Sequence, residues 1–93
     1  MNTANPQLEG LYLAVAAINR LMVDKGLVSA EELGQALDTA RQQALRDDKG
    51  EVSDSHKKAV LFPIHFLQLA NEGVVDLQSL TFSDIAREVG RRT

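Results

Sequence analysis

The sequence predicts an all-α fold: a compact bundle of four helices, or of five if Pro63 divides the third. Two observations carry that prediction. Apolar residues recur at three- and four-residue spacing, the mark of helices with a buried face. Start and stop signals punctuate the chain, with Asn5, Ser29 and Thr81 where N-caps belong and the glycines at helix ends and connections. Length and composition set the scale: 93 residues, 44% apolar and 25% charged, suit one domain over 1–93 around a single core. Only Tyr12, Phe62, Phe66 and Phe82 are aromatic, so Leu, Val, Ile and Ala must fill much of the interior.

The first helix is expected over 6–25. Asn5 caps it, and Pro6 fits its first position, where a missing N–H costs nothing. Leu8, Leu11, Tyr12, Val15, Ile18 and Met22 form one apolar stripe, which Leu13, Ala17 and Leu21 widen. A stripe that wide predicts contact with two neighbours. Gly26 stands where a left-handed residue would end the helix, with Lys25 near the negative end of its dipole.

The second helix, over 30–46, has the clearest start in the chain. Ser29 and Glu32 have capping-box spacing, and Val28 and Leu33 flank them as a hydrophobic staple. Leu33, Ala36, Leu37, Ala40 and Ala44 make a narrow inward stripe, with Gln35, Asp38, Arg41, Gln42 and Arg46 opposite. This predicts a surface helix lying close against the first. The joined segment "LMVDKGLVSAEELGQAL" resembles a helix–turn–helix hairpin found in many unrelated bacterial proteins, including the start of nitrile hydratase α chains. That enzyme's cysteine ligands have no counterpart here, so the resemblance implies a hairpin and no chemistry.

Residues 46–55 are polar and include Gly50, which predicts a flexible loop at about 47–53; the chain ends, 1–4 and 91–93, are expected to be mobile as well. Asp54 or Ser53 then caps a third helix over 55–72, the most apolar part of the protein. Pro63 within it must kink one helix or open a main helix at about 63–72 behind a short helical piece, and the second arrangement is the one expected. Val60, Leu61, Phe62, Ile64, Phe66, Leu67, Leu69 and Ala70 cover nearly every side, and Gly73 ends the helix. The last helix, over 82–90, has Thr81 as N-cap, Asp84 at its third position, a Leu80–Ile85 staple and Gly90 as its close; Phe82, Ile85, Ala86 and Val89 face inward.

Several function classes are excluded on chemical grounds. Without Cys there is no disulfide framework and no thiolate nucleophile or ligand, a composition that fits a cytoplasmic protein. No basic region followed by an apolar run marks a signal peptide, and the longest apolar run, "AVLF", is far short of a membrane span. A net charge of −3 with scattered basic residues argues against generic nucleic-acid binding. His56 and His65 have no acidic residue three or four positions on to complete a metal set. Glu31–Glu32 is the acidic first turn of a helix, Asp47–Asp48 a solvated loop, and four of the five serines are caps or linker residues. No catalytic, cofactor or metal residue is therefore expected, and no small-molecule substrate.

Thr81, Phe82, Asp84, Ile85, Ala86, Val89 and Gly90 resemble the first helix and turn of a helix-turn-helix repressor. Sequence-specific readout needs several side chains on a following helix in the major groove. The three residues after Gly90 cannot form that helix, so direct reading of DNA is not expected. With the small size and acidic balance, the segments "FPIHFLQLANEG" and "LTFSDIAREVG" resemble quorum-sensing antiactivators of bacterial mobile elements. That resemblance implies a protein that sequesters a transcriptional activator. Lys57, Lys58, Leu61, Phe62, Phe66, Arg87 and Arg91 form the expected protein-binding set: apolar anchors beside Pro63, ringed by positive charge. The alternatives are an ancillary subunit or homodimer module of a larger complex, and a DNA-binding protein completed by dimerisation.

Overall fold

The computed structural model describes residues 6–46, 54–73 and 81–92, all but a few in helices. These are α1 (Pro6–Asp24), α2 (Ala30–Arg46), α3 (Asp54–Asn71) and α4 (Phe82–Arg92). All four predicted helices are present, with ends within two residues of expectation. The expected loop at 47–53, residues 1–4 and Thr93 lie outside the described residues, as does Leu80 of the expected staple.

The local signals act as their chemistry requires. The Ser29 N–H donates to Glu32 Oε1 at 2.9 Å while the Glu32 N–H donates to Ser29 Oγ at 3.0 Å, a complete capping box. Thr81 and Asp84 repeat the exchange at 3.2 and 3.1 Å with the shorter carboxylate. At the end of α1, Gly26 adopts φ 74°. Its N–H reaches the Val23 carbonyl at 3.0 Å, and the Leu27 N–H reaches that of Met22 at 2.9 Å. This Schellman motif satisfies carbonyls the helix would otherwise leave open.

Two helix ends differ from expectation. α3 runs unbroken through Pro63, so the main helix does not begin there. Pro63 lacks the N–H that would bond the Ala59 carbonyl, a defect of roughly 3 kcal/mol in a helix interior. Continuity prevails because Phe62 and Phe66, one turn apart, must keep helical register to bring their rings to 6.3 Å. α4 likewise passes through Gly90, which is not among the positive-φ glycines, and continues to Arg92. Arg91, one residue on, pairs with Glu88 at 2.9 Å, the i,i+3 spacing that a continuing helix brings together.

α3 is the hub, and α1, α2 and α4 each pack against it. The core comprises Ala16 from α1, Phe62, Phe66 and Leu69 from α3, and Phe82, Ile85, Ala86 and Val89 from α4, with Phe66 and Ile85 fully buried. All four aromatic residues meet there. The Tyr12 ring lies 5.8 Å from Phe62 and Phe66 and 5.9 Å from Phe82, while Phe66 and Phe82 stack at 5.2 Å.

α2 contributes no buried residue and lies on α3 rather than against α1. Leu33, Leu37, Arg41 and Ala44 are half-buried along it, and the Asn71 amide of α3 donates to the Ala30 carbonyl at 2.9 Å. Arg41, expected on the outer face, instead sits at the inner edge, held by Asp38 at 2.9 Å.

The face of α1 is also corrected. Tyr12 and Ala16 point inward, and the Leu11 and Ile18 of the expected inward stripe are 55% and 56% exposed. Phe66→Ala should lower unfolding free energy by about 3–5 kcal/mol in denaturant titrations. Ile85→Asp should abolish the cooperative melt, because it buries an unpaired charge. Thr81→Ala should cost about 1 kcal/mol, the value of one N-cap.

Candidate interaction surface

The expected binding set does not form one surface. Phe62 and Phe66 are core residues, 6% and 0% exposed, and cannot meet a partner without unfolding α3 from its neighbours. Packing of the aromatic rings decides this, because α1 and α4 close over the side of α3 that carries them. Leu61 and Lys57 are half-buried on α3, and Lys58 is exposed there. Arg87 and Arg91 are exposed on α4 and engaged locally, Arg87 with Asp84 at 3.5 Å and Arg91 with Glu88 at 2.9 Å. The set keeps its charges and loses its apolar centre.

The exposed apolar side chains stand elsewhere. Leu8, Leu11, Ile18 and Leu21 of α1 are 44–56% exposed, and Leu27, just past the Schellman turn, is 71% exposed. Ala14 is exposed between Leu11 and Ile18. From Leu8 to Leu21 the stripe is about 20 Å long at 1.5 Å per residue. Leu45 of α2 and Val60 of α3 are also exposed, singly on other helices.

The stripe carries no charge. Residues 10–19, "GLYLAVAAIN", contain no ionisable group except the Tyr12 phenol, which points inward. Glu9 and Arg20 stand two positions from Leu11 and Ile18, roughly 160° around the helix, and next to Leu8 and Leu21, about 100° away at the two ends of the stripe. Arg20 instead pairs with Asp24 at 3.6 Å. An uncharged, half-exposed row of large aliphatic side chains can make apolar contact with another helix.

The signal for this face was in the sequence, as a stripe too wide for one neighbour. With α2 packed on α3 rather than close against α1, the surplus faces outward.

The interior of the described residues holds no buried polar or charged side chain, and no three of their His, Asp and Glu side chains gather closely enough to hold a metal ion. His56 and His65, nine residues apart on α3, fall on opposite sides of that helix. His65 is half-buried, and burial lowers its pKa below the ordinary 6.5, with the Arg41 guanidinium acting in the same direction. Asp84 is held below its ordinary 3.8 by the hydrogen bonds from Thr81, with Arg87 adding to them. No described helix is long and apolar enough to cross a membrane. No protein-family model matches the chain, and no curated protein or solved structure is similar enough to it to count as a match.

The lowered pKa of His65 fixes the sign of a pH effect. Below pH 6.5 the unfolded chain takes up a proton that the folded histidine resists, so stability falls with acidification until the folded pKa is passed. Urea titrations from pH 7 to 5 should show that decline, and His65→Gln should flatten it. The Asp84 contribution is present above pH 3.8 and lost only below it, outside that window.

Proposed function

We propose that the protein is a small non-enzymatic protein-binding regulator whose contact surface is the outer face of α1. The observation that carries this reading is the uncharged row Leu8, Leu11, Ala14, Ile18 and Leu21, which no other described helix covers. Monomeric domains seldom leave a contiguous aliphatic row in water, and such rows mark interaction sites.

The kind of target is carried by the resemblance of the α3 and α4 sequences to antiactivators. On that reading the target is a transcriptional activator, captured through an amphipathic helix of its own. The binding surface then moves from the Pro63 region, whose aromatic anchors are used in folding, to α1. Lys58, Arg87 and Arg91 remain as exposed positive charges that would influence association rate more than affinity.

A photo-crosslinking amino acid placed at Ile18, and separately at Lys58 and Arg87, tests the assignment in the native host. Cross-links from Ile18 to a transcriptional regulator, absent from the other two positions, are the expected result. Cross-links that come only from Lys58 or Arg87 would return the contact surface to α3 and α4.

A further inference from the structure

We draw no further inference here: the strongest candidate, the exposed aliphatic row on the outer face of α1, carries nothing beyond the reading already given, because nothing in the structure shows what covers it.

Discussion

The fold depends on one cluster of rings. Tyr12, Phe62, Phe66 and Phe82 are every aromatic residue in the chain, and each lies within 6.3 Å, centroid to centroid, of at least one other in the set. They come from three helices, so a single group of side chains fixes how α1, α3 and α4 are rotated about their axes. Offset and tilted aromatic pairs add to the burial of their large surfaces, which makes this the densest stabilising contact in a small core. The continuity of α3 through Pro63 follows from it, since Phe62 and Phe66 flank that residue and both belong to the cluster.

The same constraint sets what is left over. Once Tyr12 turns inward, Ala16 follows one turn later, and the aliphatic residues on the far side of α1 are directed to solvent. A rotation of α1 that buried Leu11 and Ile18 would withdraw Tyr12 from three ring contacts. Among the described residues eight form the buried core, and α2 supplies none of them. That helix is held on α3 by half-buried side chains and by the hydrogen bond from the Asn71 amide to the Ala30 carbonyl. The exposed row on α1 is therefore a by-product of aromatic packing that is available for binding.

Charge plays a local part. The ion pairs described are between residues three or four apart on one helix, and their side chains are exposed or partly exposed, so solvent screens them and each contributes little. The reciprocal caps at Ser29–Glu32 and Thr81–Asp84 do more, because each satisfies two backbone donors that helix geometry leaves open. Helix ends are thus fixed by hydrogen bonding, helix orientation by apolar packing.

What the sequence by itself determined was local. The four helices, both capping boxes and the left-handed Gly26 and Gly73 depend on residues within a few positions of one another, and spacing rules read such features directly. The inward set of α4, Phe82, Ile85, Ala86 and Val89, was legible for the same reason: its polar face leaves one choice. On α1 and α3 apolar residues lie on nearly every side, so periodicity could not say which side faces in. That choice belongs to the tertiary structure, where Tyr12 must reach rings some fifty to seventy residues distant in sequence. It placed Phe62 and Phe66 inside and left Leu11, Ile18 and Leu21 outside, because only one face of each helix can meet the other helices at once.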